Sequence, residues 1–70
     1  MIMDTKEMVD FYLEKKLKVH IKLSSGKFYN GNIVEWENEK VFVFNDRYIG
    51  LIHIFLSQIE TIEEYTEVRE

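Results

Sequence analysis

The stretch VHIKLSSGKFYNGNIVEW, from Val19 to Trp36, decides the fold. Val19, Ile21 and Leu23 alternate with His20 and Lys22. That period of two places one row of side chains in a core and the other in water, as in a half-buried strand. Ser24, Ser25 and Gly26 break the pattern with residues suited to a turn, and a second run from Lys27 to Trp36 carries Gly31 at its middle. With no Cβ, Gly31 lets the strand bend sharply or another backbone approach it, so the pair reads as a hairpin curling toward a barrel.

Working outward, the N-terminal side predicts a helix from about residue 5 to 16. Asp4 is a suitable N-cap with Glu7 three residues on, a capping-box pattern, and Met3 and Met8 are spaced as a hydrophobic staple. Met8, Val9, Tyr12 and Leu13 share one helical face, so this helix is expected to lie on the barrel as a lid, with Phe11 off that face. On the C-terminal side, Glu37 to Lys40 reads as a loop and Val41 to Phe44 as a strand covered on both faces. Asn45, Asp46 and Arg47 supply a turn, and Tyr48 to Leu56 a long strand with Gly50 as its bend or bulge. After Ser57 and Gln58, a last strand runs through Ile59, Thr61 and Ile62. The tail from Glu63 is acidic and expected to fray, with Tyr65 and Val68 able to prolong the strand. The predicted fold is mainly β, a small five-stranded antiparallel SH3-like barrel with an N-terminal α-helix.

A chain of 70 residues makes one domain whose core is marginal by itself. It has no cysteine and two histidines, so neither disulfides nor a structural zinc is expected to reinforce it. Oligomerisation is the remaining device. Tyr48 to Leu56 carries apolar residues on both of its faces, more than a lone small domain covers, and Ile52, Ile54, Ile59 and Ile62 are the expected oligomer interface. Nothing resembles a signal peptide or membrane span, which predicts a cytoplasmic protein with no membrane partner. The formal charge of −4 argues against a general nucleic-acid coat, but it is unevenly spread. Lys15, Lys16, Lys18, Lys22 and Lys27 form a cationic region, and Glu60, Glu63, Glu64, Glu67 and Glu70 an acidic end.

The spacing Val19, Ile21, Leu23, Gly26, Tyr29, Gly31, Ile33, Trp36 and Glu37 resembles the first motif of the Sm and Sm-like (LSm) family, which includes bacterial Hfq. The resemblance covers residues 18 to 62, with Val41 to Phe44 in the place of the family's third strand. It implies a ring in which the fourth strand of one subunit pairs with the fifth of the next, about five to seven subunits closing the cycle. It also implies that single-stranded RNA bases are held at two loops by stacking and polar contacts. Carried over position by position, these loops are Glu37 to Val41 and Phe55 to Gln58. The candidate RNA-binding residues are Asn38, Lys40, Phe55, Ser57 and Gln58. The chain departs from the family where a base-reading asparagine is replaced by Val41, and where arginine and glycine are replaced by Phe55 and Leu56. The lysine and histidine pair of Hfq is also missing, so uridine specificity is not implied.

No nucleophile, base or phosphate loop can be assembled from the motifs present, and no enzymatic activity, cofactor or small-molecule substrate is expected. His20 reads as an exposed strand residue and His53 as an interface or core-rim histidine. Glu35, Glu37 and Glu39 alternate near a turn and read as a solvated loop, not a metal site. Two functions stand side by side: a ring-forming RNA-binding protein of RNA metabolism, and an oligomeric scaffold contacting only proteins. An SH3-like adaptor outside any ring is the third.

Overall fold

A computed structural model describes residues 4–65. Helix α1 spans Thr5–Lys15, and strands β1 to β5 span Lys18–Leu23, Phe28–Trp36, Val41–Asp46, Gly50–Phe55 and Ile59–Glu64, with a 3₁₀ turn at Leu56–Gln58. The strands form one antiparallel sheet in the order β4-β3-β2-β1-β5. The protein is thus mainly β, an open sheet with an N-terminal helix, consistent with a small SH3-like or Sm-like barrel.

The helix begins where its capping signal places it. Asp4 Oδ1 accepts the Glu7 N–H at 2.8 Å, and Glu7 Oε1 accepts the Asp4 N–H at 3.1 Å, so two otherwise orphaned donors are satisfied. Met3, the other half of the expected staple, lies outside the described residues. Val9 is fully buried and Met8, Tyr12 and Leu13 pack beside it, while Phe11 stays exposed. The lid therefore contributes directly to the core.

That core joins Val9 to Val19, Ile21, Leu23, Ile33, Phe42, Phe44, Ile54 and Ile62, one face of every strand. Gly31 is buried opposite Asp46, and a Cβ there would fall on the Asn45 carbonyl oxygen. Glycine is required by close backbone approach.

Two irregularities bend the sheet. Between Ile33 and Glu35 the β2–β3 register shifts, leaving Val34 unpaired. Strict alternation from Ile33 would turn Trp36 outward; the extra residue sets it opposite Phe42 on the inner face, where the rings meet edge to face at 5.8 Å. Its indole Nε1–H donates to Asp10 Oδ1 of α1 at 2.6 Å, tying lid to sheet. A second shift separates Lys22 from Leu23 against β5.

Strand β4 is shorter than its apolar run. Asp46 Oδ2 accepts the N–H groups of Tyr48 at 2.9 Å and Ile49 at 3.1 Å, which holds both residues in the turn. Gly50, with φ of +84°, closes this turn and does not form a bulge within the strand. Strand β5 is longer than expected. Glu63 pairs with His20 and Glu64 with Val19, and the Tyr65 N–H donates to the Lys18 carbonyl at 2.9 Å. Val68 lies outside the described residues.

Candidate functional site

The two loops implicated by the sequence meet at one end of the sheet. Val41 pairs with Phe55, and the Leu56 N–H donates to the Lys40 carbonyl at 2.9 Å. Lys40 and Phe55 are thereby held together at the level of the backbone, and the Phe55 side chain is 49% exposed. An exposed aromatic can stack on a base, and a lysine in the adjoining loop supplies a cation at the same end of the sheet.

Asn38 has a different task. Its Oδ1 accepts the N–H of Lys40 at 2.8 Å and of Val41 at 3.1 Å, so its carbonyl shapes the loop and only its NH₂ remains for a ligand. Ser57 and Gln58 face the β1–β2 turn: the Gln58 carbonyl accepts the Ser24 N–H at 2.8 Å, and both residues line a cavity of about 260 Å³ with Ser24 and Ser25. The five candidates divide into Asn38, Lys40 and Phe55 on one side and Ser57 with Gln58 on the other, linked by a long 3.4 Å bond from the Phe55 N–H to Gln58 Oε1.

Carboxylates crowd the first group. Asp10, Glu37 and Glu39 border a cleft of about 380 Å³ beside Trp36, tempered by Lys6, whose Nζ stands 6.0 Å from the indole centroid. His53 Nε2 lies 3.6 Å from Glu37 Oε1, with both side chains exposed. Among the described residues no group of acidic and histidine side chains is arranged to hold a metal ion. No described helix is long and apolar enough to cross a membrane.

The expected interface isoleucines point the other way. Ile54 is 1% and Ile62 6% exposed, opposite Phe42 and Ile21 respectively, and Ile52 and Ile59 pack against the same core. Ile54 and Ile62 are thus buried within the single chain, whereas Ile52 and Ile59 stay half-exposed at the edge of that core. Among the described residues β4 is hydrogen-bonded to β3 alone, and its outward side chains are Leu51, His53 and Phe55, with Leu51 67% exposed. His20 also differs from expectation: it is half-buried, its Nδ1 bonded to Asn30 Oδ1, with the Phe28 ring centroid 5.3 Å away.

Sequence reasoning missed the opposite end of the sheet, where Asp46 is buried. Burial alone would raise its carboxyl pKa; hydrogen bonds from Tyr48, Ile49 and Asn30 N–H groups, together with the Arg47 charge, outweigh this and hold it below the usual value. The dipeptide Asp46-Arg47 showed only a turn; one of the three donors comes from β2 and the other two from the β3–β4 corner. No protein-family model, no curated protein and no solved structure matches this chain.

Proposed function

We propose that the chain is an Sm-like subunit that assembles with copies of itself through β4 and β5 and binds short single-stranded RNA at the loop end, in the cytoplasm. The observation that carries this reading is the strand order: β4 and β5 are the two edges of the sheet, each hydrogen-bonded to one neighbour within the described residues. Free edges of one domain complement each other in a head-to-tail arrangement, which closes into a ring when the rotation permits. Charge supports the pairing. Glu60, Glu63 and Glu64 lie along β5, whereas Lys40 and Arg47 flank the ends of β4. Repetition around a ring would multiply a single exposed Phe55 into a circle of stacking positions, with one Lys40 per subunit at the same end.

A second reading, the ring as a protein scaffold without RNA, is favoured by the carboxylates of Asp10, Glu37 and Glu39 beside the same loop. They oppose the approach of phosphates. Light scattering combined with fluorescence anisotropy separates the two. An oligomeric mass at micromolar concentration and saturable binding of labelled uridine-rich or adenine-rich oligonucleotides at low salt are expected. A monomeric mass would overturn assembly; an oligomer indifferent to every oligonucleotide would leave the scaffold.

A further inference from the structure

Lys18, Asn32 and Asn45 stand opposite one another across β1, β2 and β3. Cross-strand partners share a face, so the three form a polar row on the outside of the sheet, where Lys18 and Asn45 are exposed. Two backbone hydrogen bonds fix the ends of the row. The Tyr65 N–H donates to the Lys18 carbonyl at 2.9 Å, and the Arg47 N–H to the Asn30 carbonyl at 3.0 Å. Together these residues wall a cleft of about 170 Å³.

The cleft is rich in donors and carries two cations. Lysine and arginine are donors without acceptor capacity, and the asparagine amides, which can also accept through their carbonyl oxygens, add NH₂ groups. Asn30, whose Oδ1 meets His20 Nδ1, retains its NH₂ as a donor. The ion pairs among the described residues are Lys22 with Glu60 and His53 with Glu37, and neither involves Lys18 or Arg47. The nearby Asp46 carboxylate is occupied by three backbone N–H groups. A suitable occupant is compact, anionic and rich in acceptors. Clefts for drug-sized molecules run to about 300–1,000 Å³, so this space suits a single charged group. Arginine offers a planar fork and lysine a point charge, a combination matched to a tetrahedral oxyanion.

We propose that the cleft between Lys18 and Arg47 is a binding site for a phosphoryl oxyanion, either inorganic phosphate or the phosphate of a mononucleotide. The site is built from residues of one chain, at the end of the sheet away from Lys40 and Phe55, and does not depend on RNA binding at the loop end.

The test is a titration of the ¹⁵N-labelled protein with inorganic phosphate, adenosine 5′-monophosphate and adenosine, followed by NMR. Saturable shifts at the Asn32 and Asn45 side-chain amides are expected with phosphate or the monophosphate, and none with adenosine. Saturation by both assigns the site to phosphate itself; saturation by the monophosphate alone assigns it to a mononucleotide. Lys18→Gln and Arg47→Gln should each weaken binding by about tenfold or more, and Asn45→Asp, which sets a carboxylate in the row, should abolish it. Lys27→Gln, in the β1–β2 turn, should leave it within about twofold. The proposal is overturned by absence of saturation with either phosphate ligand, by equal shifts with adenosine, or by an equal loss in Lys27→Gln.

Discussion

Asp46 organises the β3–β4 corner by collecting three backbone N–H groups on one buried carboxylate. Its folded pKa is depressed, so its contribution to stability is fully present above the unfolded value of about 3.9 and is lost as pH falls through the lower folded value. Asp46→Asn keeps one acceptor oxygen and turns an NH₂ toward remaining donors, a loss of about 1–3 kcal/mol at neutral pH. Denaturant melts at a series of pH values should show the gap between wild type and variant narrowing below about pH 4; a gap constant down to pH 2 would refute the role. Gly31 is the second residue on which the fold turns. A side chain there meets Asn45 backbone, which cannot swing aside like a flexible side chain, so Gly31→Val should cost about 2–4 kcal/mol. A melting midpoint within a degree of wild type would show that the strands can part. The importance of Gly31 was legible in the sequence because a glycine inside an apolar strand weakens it unless a bend or a close backbone approach requires the missing Cβ. Asp46 was not, since a turn aspartate looks the same whether it faces water or gathers donors.

At the scale of elements, local rules carried the helix and β1 and faltered where a single residue shifts register. The capping box, the helical face and the alternation of β1 are short-range patterns and match the structure. The unpaired Val34 leaves no mark in a β-rich run, yet it decides which side Trp36 takes. The apolar row of β4 posed a related problem. Sequence alternation separates two faces without saying which one is the core, and Ile54 belongs to the core while Leu51 and Phe55 belong to the outside. The distinction has a direct test. Ile54→Glu buries an unpaired charge beside Phe42 and should abolish the cooperative thermal transition. Leu51→Glu is exposed and should leave the fold within about 0.5 kcal/mol of wild type while lowering the mass seen by light scattering. An unchanged oligomeric mass in Leu51→Glu would remove the outer face of β4 from the contact.

For the whole molecule, the proposed RNA binding depends on whether a protein of formal charge −4 can present cations where phosphates pass. Acids and bases are partitioned by element: β5 carries Glu60, Glu63 and Glu64, β1 carries Lys18 and Lys22, and the loop end has Lys40 next to Glu39 in sequence, with Asp10, Glu37 and Glu39 around the adjoining cleft. With few cations at Phe55, RNA binding there should rely on stacking and respond weakly to salt. The logarithmic salt slope tracks neutralised phosphates at about 0.7 per contact on single strands, so a slope near one or less per occupied site is expected. Phe55→Ala should cost about 1–3 kcal/mol per engaged base without changing the mass of the assembly. Lys40→Ala should flatten the slope, whereas Glu37→Gln and Glu39→Gln should tighten binding by removing charges that repel the phosphates. Anisotropy with adenine-rich and uridine-rich oligonucleotides at two salt concentrations reads all four effects. If Phe55→Ala binds as tightly as wild type while the Lys18→Gln and Arg47→Gln variants lose affinity, RNA is held by its phosphates at the opposite end of the sheet, and the loop end is left to protein partners.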